Sequence, residues 1–423
     1  MNIGITMKIL VLDAYFEPEQ TSFSHLEKDL IEAFVKNGHE FFVICPTPTR
    51  GISKEIAKKY AKIKRETLYN GKVHVTRFWA PQEKHGIFSR AVRYFWCNYR
   101  MYCAAKKIGE SCDIIFSNST PPTQGLIADK LKKKLHKPFI YNLQDVFPDS
   151  LVNSGMTKRG SLLWKIGRKI ENKTYEAADR IIVISEDFKK NILAKGVSEE
   201  KIKVVYNWID SDLIKPVKKE NNPLFEEFGI ARNTFIVLYA GNFGAAQGIR
   251  VILDAAELIK DREDICFVLF GGGAEFESIQ QDAQKRNLEN VKIFSLLPQE
   301  RVAEVYSLGD VALITCKKGF GNCAFPSKTW SIMACNTPII ASYDQESELA
   351  KVIKEANAGE VVCPENAEAL ARAILKAKDQ SRLVDCRDYL REKADRTTCV
   401  QKYVELFENA LKQEKMSKKA TAV

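Results

Sequence analysis

The feature that most constrains the fold is an alternation of short apolar runs with amphipathic helical patterns, which occurs twice along the chain. Lys8 to Asp13 reads as a buried parallel strand, a helix from about Ser24 to Asn37 follows, and the next strand is Glu40 to Cys45. The same order begins again at Phe235 to Ala240. Strands that alternate with helices indicate parallel sheets covered by helices. The sequence therefore predicts an α/β fold with two Rossmann-like parallel-sheet domains.

The length of the chain requires more than one hydrophobic core. At 423 residues it exceeds the usual size of one domain, and residues 208–232 carry two prolines and read as a link. We predict an N-terminal domain over 1–207, a C-terminal domain over 208–395 and a final segment over 396–423. That segment is predicted to form a helix over about Thr398 to Leu411 that packs back on the first domain, followed by a disordered tail from Lys412 to Val423.

The cysteine and histidine patterns argue against metal sites and disulfides. The eleven cysteines form no CxxC pair and the five histidines lack metal-ligand spacing, so we expect no metal and a reducing, cytoplasmic location. Asp210 and Asp212 form a D-x-D pair, but in a predicted link a turn or helix cap explains them better. No apolar run reaches the roughly 18 residues that a membrane-spanning helix needs.

Positive charge is concentrated in one window of the chain. Residues 50–110 contain fifteen basic residues and four acidic ones, whereas the net charge of the whole chain is +10. A helix predicted over Ile87 to Ile108 combines an aromatic and apolar stripe with basic flanks, namely Phe88, Val92, Phe95, Trp96, Tyr99, Tyr102 and Cys103 beside Arg90, Arg93, Arg100, Lys106 and Lys107. This pattern predicts contact with an anionic membrane surface. The alternative is the core-facing side of an ordinary surface helix. No nucleic-acid-binding motif occurs, so we expect no nucleic-acid partner.

Two polar loops follow predicted strands of the first domain, at the edge where parallel α/β sheets bind ligands. Thr21, Ser22 and His25 follow the first strand and are candidate ligand contacts, although Ser22 could simply cap the helix. Asp145 follows a later strand within a proline-containing loop. Its carboxylate is a candidate base or hydrogen-bond partner for a substrate hydroxyl, and a turn cap is the alternative.

Two glycine-rich turns follow predicted strands of the second domain. Glycines 241, 244 and 248 form the first turn, and they have neither the dinucleotide G-x-G-x-x-G spacing nor a P-loop lysine. Gly271, Gly272 and Gly273 form the second turn. Because glycine lets a backbone approach a ligand closely, both turns are candidate ligand contacts.

The strongest candidate site lies between Lys318 and Ser342, where a turn-prone run enters a helical pattern. Proline suits a first helical turn. A serine hydroxyl, a lysine ammonium and unpaired N–H groups at such a turn can hold an anion. A diphosphate is the anion that fits best, and the alternative is an ordinary capped helix of a βαβ unit. The candidate contacts are Phe320, Gly321, Asn322, Pro326, Ser327 and Lys328.

Five motifs, in this order and at these spacings, resemble the bacterial glycosyltransferase family 4, which has the GT-B fold. They are LQDVFPDS (143–150), VVYNWID (204–210), AGNFGAAQG (240–248), FGGGAE (270–275) and FPSKTWSIMACNTPIIAS (325–342). Over nearly its whole length the chain looks most like the enzymes that assemble O-antigen, capsule or colanic acid-type polysaccharides. The resemblance implies two domains that face a cleft, and a retaining, metal-independent transfer of a sugar from a nucleotide diphosphate sugar.

The resemblance also implies roles for individual residues. The matched donor positions are the diphosphate contacts Ser327 and Lys328, the glycine turn at Gly241 and Gly244, the glycine loop at Gly271, Gly272 and Gly273, and Leu296 in the segment that faces the base. Lys328, Asn242 and Asp145 become the candidate catalytic residues, and Thr21, Ser22 and His25 become the candidate acceptor contacts.

Two features of the family are altered in this chain. Many members carry a pair of glutamates, at positions that Cys323 and Ser331 occupy here. Many also carry an arginine and a lysine in the first glycine turn, where this chain has Asn242 and Gln247. We keep Gln247 and Ser331 as donor contacts, and we expect Lys328 to hold a larger share of the diphosphate charge.

The reaction that the resemblance implies uses a nucleotide sugar as co-substrate, UDP-linked in preference to GDP-linked, and no cofactor. The implied acceptor is a saccharide or a polyprenyl-diphosphate-linked saccharide at the inner face of the cytoplasmic membrane. Two alternatives stay open. One is a non-hydrolysing nucleotide-sugar 2-epimerase of the same fold, and the other is a catalytically inactive scaffold of a polysaccharide-assembly complex.

Overall fold

The structure is a computed structural model that describes residues 6–19, 21, 23–81, 87–153, 155–322, 325–380 and 384–421. Ser22, Cys323 and the side chains of Phe88 and Arg90 lie outside the described part. The chain divides into two compact units. Unit 1 runs to Val152 and includes Thr157–Val205 and the chain from Cys399 onward, while unit 2 comprises Asn153–Met156 and Tyr206–Thr398.

Within the described residues, unit 1 holds an eight-stranded sheet. Its strands are β1 (Lys8–Leu12), β2 (Glu40–Pro46), β3 (Arg65–Leu68), β4 (Val73–Phe78), β5 (Ile114–Asn118), β6 (Phe139–Leu143), β7 (Arg180–Val183) and β8 (Ile202–Val204), in the order β3-β4-β2-β1-β5-β6-β7-β8. The described pairs are parallel, apart from the antiparallel pair of β3 with β4. The predicted parallel sheet thus gains an antiparallel edge strand, which the sequence did not indicate.

Helices cover both faces of this sheet. They are α1 (Ser24–Lys36), α2 (Lys54–Tyr60), α3 (Ile87–Ile108), α4 (Gln124–Leu135), α5 (Asp149–Asn153), α6 (Leu162–Ala177) and α7 (Glu186–Leu193). Side chains of α3 and α4 share a core with residues of β1, β5 and β6, and α4 packs between α3 and α6. Serine N-caps begin α6 and α7, because Ser161 and Ser185 each accept a hydrogen bond from a backbone N–H in the first turn.

Unit 2 holds a six-stranded, fully parallel sheet in the part of the chain that is described. Its strands are β9 (Phe235–Asn242), β10 (Ile265–Gly272), β11 (Val291–Ser295), β12 (Val311–Thr315), β13 (Ile339–Ser342) and β14 (Gly359–Val362), in the order β11-β10-β9-β12-β13-β14. Its helices are α8 (Leu224–Glu227), α9 (Arg250–Leu258), α10 (Phe276–Lys285), α11 (Val302–Tyr306), α12 (Lys328–Ala334), α13 (Glu348–Glu355), α14 (Ala367–Gln380) and α15 (Arg387–Ala394).

The strand order of unit 2 defines where a ligand can bind. After β9 the chain adds β10 and β11 on one side and then returns to place β12 on the other side of β9. Loops that leave neighbouring strands in opposite directions open a crevice at the carboxyl ends of those strands. In unit 2 this switch point lies between β9 and β12.

Residues 208–232, expected to be a link, are instead part of unit 2. Trp208, Leu224 and Phe225 are buried, and Asn222 donates a side-chain hydrogen bond to the carbonyl of Glu304 at 2.7 Å. Asp210 accepts backbone hydrogen bonds from Asp212 at 3.0 Å and from Leu213 at 3.1 Å, which is the turn role expected of the D-x-D pair. Pro223 directly precedes α8 as its N-cap residue, within a folded unit.

The last helix, α16, spans Arg396–Thr421, whereas the expected helix ended near Leu411. The residues beyond Leu411 lack glycine and proline and include several good helix formers, so nothing in the sequence stops the helix there. Within unit 1, the Phe407 ring of α16 packs edge-on against Phe34 of α1, with ring centres 5.2 Å apart, and at a tilt against Phe116 of β5, with ring centres 5.3 Å apart. None of the described helices combines the length and the apolar character that crossing a membrane requires.

Candidate functional site

The carboxyl ends of the unit 2 strands bring together the turns that the sequence analysis selected. The amide of Phe243 donates to the carbonyl of Gly272 at 2.7 Å, and the amide of Leu296 donates to the carbonyl of Gly271 at 3.0 Å. The amide of Lys317 donates to the carbonyl of Ala246 at 2.9 Å. Backbone bonds therefore join the loops after β9, β10, β11 and β12 at the switch point.

Lys328 places an ammonium group at this edge. Its ammonium lies 3.8 Å from the centre of the Tyr239 ring and 3.3 Å from the carbonyl oxygen of Ala240. The side chain is half-buried, and burial lowers the pKa of its ammonium from 10.5 to about 7. In the described part of the chain no carboxylate forms an ion pair with it. An aromatic face and one carbonyl compensate little of the charge, so the ammonium can gain strongly from an anion.

Gly241 is required beside this lysine. Its φ of +150° is a conformation that residues with a side chain rarely adopt, and a Cβ at this position would lie 3.2 Å from the ammonium nitrogen of Lys328. A Cβ at Gly244 would lie 2.7 Å from polar atoms of both Asn242 and Gln247. These two side chains contact each other at 3.4 Å. Both side chains belong to the same glycine turn as Gly241, and neither supplies a charge.

Close packing within the protein explains most of the three consecutive glycines, whereas the sequence analysis predicted that they let a ligand approach the backbone. A Cβ on Gly271 would lie 2.0 Å from the buried ring of Phe243, and one on Gly273 would lie 2.3 Å from Oδ1 of Asn242. A Cβ on Gly272 would meet only Leu296, at 3.6 Å. Gly272 and the half-exposed Leu296 are therefore the members of this region that leave room at the surface.

The remaining donor candidates divide between surface and interior. Ser327 and Asn322 are exposed and Pro326 is half-buried, whereas Phe320 packs against the core of unit 2. Ser331 is only 8% exposed within α12. The position at which the family resemblance implies a glutamate is therefore buried in this chain.

Two carboxylates that the sequence analysis missed hold the loop that follows β12. Asp344, after β13, accepts backbone hydrogen bonds from Gly319 at 2.9 Å and from Gly321 at 2.8 Å. Glu365, after β14, accepts from the amide of Lys318 at 3.1 Å. The rule that selected Asp145, a carboxylate directly after a buried strand, would also have selected Asp344.

In unit 1, Asp145 is exposed at the carboxyl end of β6 and is held by local hydrogen bonds. Its amide donates to Oγ of Ser119 at 3.2 Å, and its carboxylate accepts from the hydroxyl of Ser150 at 3.0 Å. Burial by the surrounding protein raises the pKa of its carboxyl above the ordinary value, although the side chain reaches solvent. Both expected roles, turn and accessible carboxylate, fit this geometry.

The loop after β1 shows mainly local bonding. The amide of Thr21 donates to Oγ of Ser24 at 2.9 Å, and the two hydroxyl oxygens lie 3.0 Å apart. The amide of Phe23 donates to Oγ1 of Thr21 at 3.3 Å. His25 is exposed on the first turn of α1. Thr21 therefore has the capping role, while His25 remains open to a ligand.

A buried polar chain at the same edge of unit 1 was not foreseen. Oδ2 of Asp13 accepts from Asn118 at 2.9 Å, Oδ1 of Asn118 accepts from Asn142 at 2.9 Å, and Oδ1 of Asn142 accepts from the hydroxyl of Tyr403 at 3.1 Å. Asp13 also shares a hydrogen bond with Glu27 of α1, and burial raises the pKa of both carboxyls. Part of the signal is in the sequence, since Asp13 directly follows β1, Asn118 is the last residue of β5 and Asn142 is the last residue but one of β6.

The aromatic helix of the basic window presents part of its stripe to solvent. Phe95 is 77% exposed, and Val92, Tyr99 and the nearby Trp79 are exposed as well. Arg93, expected on the basic flank, is instead buried and donates to the carbonyl of Pro81. It faces inward because it bonds the loop after β4, whereas Lys106 and Lys107 are exposed as predicted.

Comparison with known proteins identifies both halves of the chain. Residues 220–397 match the family Glycosyl transferases group 1, and residues 28–213 match Glycosyltransferase Family 4. In the described part of the chain, no three His, Cys, Asp or Glu side chains come together as a metal ion would require.

Two relatives illustrate the sequence similarity. WbjE of Pseudomonas aeruginosa, whose name describes a glycosyltransferase, is 29% identical over 62% of this chain and 65% of its own length. WcaI of Escherichia coli K12, whose name describes a glycosyl transferase of colanic acid biosynthesis, is 24% identical over 88% of this chain and 92% of its own length. The match to WbjE thus spans less than two thirds of that relative.

Solved structures share the fold over almost the whole chain. Sucrose-phosphate synthase of Thermosynechococcus elongatus superposes with a TM-score of 0.74 at 18% identity, covering 95% of this chain and 98% of the other. HepE of Anabaena, solved in complex with UDP-glucose, superposes with a TM-score of 0.68 at 16% identity, covering 95% and 100%. These likenesses establish a common fold and leave the substrate open.

Proposed function

We propose that this chain, which belongs to glycosyltransferase family 4 and has the GT-B fold, transfers a sugar from a nucleotide diphosphate sugar during synthesis of a bacterial surface polysaccharide. We propose UDP as the carrier in preference to GDP. The acceptor is a saccharide or a polyprenyl-diphosphate-linked saccharide. The family and fold were both predicted from the sequence motifs, and both are confirmed.

The observation that carries the proposal is the environment of Lys328. A half-buried ammonium beside an aromatic ring, at a switch point lined by glycine turns, has no carboxylate partner among the described residues. Desolvation makes the free ammonium unfavourable, and a diphosphate would restore favourable charge–charge interaction. Exposed Ser327 can add a hydroxyl donor from the preceding position. HepE, solved with UDP-glucose, supports a nucleotide sugar as the ligand class.

We propose that the sugar–diphosphate bond of the donor breaks beside the ammonium of Lys328, which is held in a fixed position. The bond between the sugar's anomeric carbon and the diphosphate breaks, and Lys328 stabilises the charge that develops on the leaving phosphate. The acceptor hydroxyl forms the new bond on the same face of the sugar, and its proton passes to the leaving phosphate oxygen, so the configuration is retained. Lys328 supplies the positive charge, so the proposed step uses neither a divalent metal nor another cofactor.

Asp145 is assigned to the acceptor in this proposal. Its exposed carboxylate follows β6 in unit 1 and can accept a hydrogen bond from an acceptor hydroxyl. His25 is a second acceptor contact, and Asn242 and Gln247 are uncharged donor contacts beside Lys328. The raised pKa of the Asp145 carboxyl, caused by burial, strengthens it as an acceptor of protons and hydrogen bonds.

We place the protein on the inner face of the cytoplasmic membrane, with residues 50–110 toward anionic lipid. The exposed aromatic residues of α3 and the excess of basic residues in this window support that placement. They also favour the transferase over a 2-epimerase, whose soluble substrate and product need no membrane surface.

The test is transfer of radiolabel from UDP-sugars to lipid extracts of bacterial membranes. Lys328→Met keeps the length of the side chain and removes its charge, and we expect transfer to fall by about 10²-fold or more, since one such donor is worth roughly 3 kcal/mol. Lys351→Met, at an exposed position of α13, is the matched control and should retain activity. Isomerised sugar in solution with unlabelled lipid would establish the epimerase, and absence of both products for every donor, with UDP still bound, would favour the scaffold.

A further inference from the structure

The start of helix α6 exposes apolar side chains that the fold does not use. Leu162 is 75% exposed, Ile166 50% and Leu163 37%. Ile166 is four residues from Leu162 and three from Leu163, so it neighbours both side chains on the surface of the helix. The buried side of α6 is formed by Gly167 and by residues of its second half. We call Leu162, Leu163 and Ile166 the α6 tip.

The charge around the α6 tip identifies the surface that it fits. Lys158, Arg159, Lys165 and Lys169 are all exposed, and no acidic residue occurs between Thr157 and Ile170. Leucine and isoleucine side chains surrounded by cations suit a bilayer with anionic lipid, because the apolar groups enter the interface while the cations contact head groups. A protein partner would need a larger apolar area than three side chains provide.

The α6 tip is fixed to the loop that carries the candidate acceptor residue. Gly167 directly follows Ile166, and a Cβ on Gly167 would lie 2.7 Å from Pro148 and 2.9 Å from the Phe147 ring. These residues belong to the loop that begins with Asp145. The close packing permits little displacement of one segment without the other.

The tip also shares an end of unit 1 with the exposed part of α3. Helices α3, α4 and α6 pack side by side, and each begins after the carboxyl end of a strand. The exposed residues Val92, Phe95 and Tyr99 lie in the first two thirds of α3, and the tip lies at the start of α6. Both apolar surfaces therefore lie toward the carboxyl edge of the first sheet.

We propose that the α6 tip inserts into an anionic bilayer as a second membrane contact, and that it thereby holds the Asp145 loop at the lipid surface. This inference rests on the proposed function in one respect, the assignment of Asp145 to the acceptor. It deepens that function by specifying a membrane-embedded acceptor whose sugar is presented at the head-group level.

The first experiment measures co-sedimentation of the full chain with vesicles of phosphatidylcholine and phosphatidylglycerol. The variant Leu162→Ser/Leu163→Ser/Ile166→Ser should lower the partition coefficient at least about tenfold, because it removes the apolar groups that enter the interface. Leu258→Ser, an exposed leucine of α9 in unit 2, is the matched control and should partition like wild type. An unchanged partition coefficient for the tip variant would overturn the proposal.

A second variant, Lys165→Glu/Lys169→Glu, keeps the apolar tip and tests the charge. It should lose binding to vesicles that contain phosphatidylglycerol, and added salt should weaken wild-type binding in the same way. If the tip variant binds vesicles normally but changes the molar mass in solution, the tip is a contact between protein copies and the proposal is wrong.

Activity separates this inference from the proposed function. The tip variant should transfer sugar to a short, water-soluble acceptor at the wild-type rate and to a lipid-linked acceptor in vesicles about tenfold more slowly. UDP binding should be unchanged. If wild-type protein binds vesicles through the tip but neither binds UDP nor transfers sugar, the proposed function fails while the membrane contact stands. Equal losses with both acceptors would overturn the membrane role.

Discussion

The protonation of Lys328 should control the affinity for the leaving nucleotide. Burial lowers the pKa of this ammonium to about 7, so about half of the free protein carries the charge at pH 7 and about 1% carries it at pH 9. If only the charged form binds the diphosphate, UDP affinity falls about fiftyfold between pH 7 and pH 9, which is about 2.3 kcal/mol. In Lys328→Met the affinity is low at both pH values and this dependence disappears.

Calorimetry measures both the affinity and the proton. At pH 8 most free protein carries a neutral lysine, so binding UDP should take up close to one proton, seen as a difference in heat between buffers of different ionisation enthalpy. Lys351→Met should reproduce the wild-type values. A wild-type affinity that is constant from pH 7 to pH 9, or a Lys328→Met variant that binds UDP normally, would refute the electrostatic role.

Lys328 should strengthen nucleotide binding but should destabilise the folded protein when no nucleotide is bound. A lysine pKa that is lower in the folded than in the unfolded chain makes folding less favourable at neutral pH, where the unfolded chain holds more protons. Lys328→Met should therefore melt at a higher temperature than wild type at pH 7 without UDP. Saturating UDP should reverse the order, and calorimetric melting in both conditions measures it.

Three further predictions follow from contacts elsewhere in the chain. Gly271→Ala drives a Cβ into the Phe243 ring and should lower the free energy of unfolding by about 2 kcal/mol, whereas Gly272→Ala, whose Cβ meets Leu296 at an ordinary contact distance of 3.6 Å, should be nearly neutral in the same urea titration. Glu27→Gln removes a buried carboxyl whose pKa is raised by burial. Wild type should lose stability relative to this variant as pH rises above about 4.5, by up to roughly 1.4 kcal/mol per pH unit, and equal pH profiles would contradict a raised pKa for the Glu27 carboxyl. Asp344→Asn weakens the acceptor of two loop amides and should raise the donor KM with little change in melting temperature; an unchanged KM would show that the loop does not shape the donor site.

The alternation of strands and helices was predictable because buried parallel strands are almost continuously apolar. Strands such as β5 and β12 are buried along their whole length, and their sequences show it. The edge strand β3 was not predictable, since its residues alternate between exposed and half-buried positions and its pairing with β4 depends on tertiary contacts. Strand order, which creates the switch point, likewise has no local signal.

The candidate site was predictable where a residue's type and its position in a predicted helix or loop indicate the same role. Lys328 stood out because a lysine follows proline and serine at a helix start, and the structure places it beside the first glycine turn. Asp344 and Asp13 each follow a buried strand, but the groups that they bind come from other segments, so the sequence does not reveal their hydrogen bonds. The glycines at 271 and 273 were interpreted as ligand contacts, but the neighbour that requires them is Phe243 or Asn242, which no sequence spacing reveals.

Amphipathic patterns alone did not distinguish an interior face from an exposed one. Arg93 lies on the basic side of its helix in the sequence pattern and is buried, since the carbonyl of Pro81 and the hydroxyl of Thr49 accept its hydrogen bonds. Ile166 lies on an apolar side and is exposed, since Gly167 takes the position of closest packing. The neighbouring element decides which side is covered.

The most direct measurement is an NMR titration of the Lys328 side chain in protein labelled with ¹³C-lysine, its signal assigned by its loss in Lys328→Met. The titration midpoint should lie near pH 7 in the free protein and rise by about two units or more with saturating UDP. A midpoint near the ordinary lysine value in the free protein, or one that UDP leaves unmoved, would contradict a diphosphate site built on this ammonium.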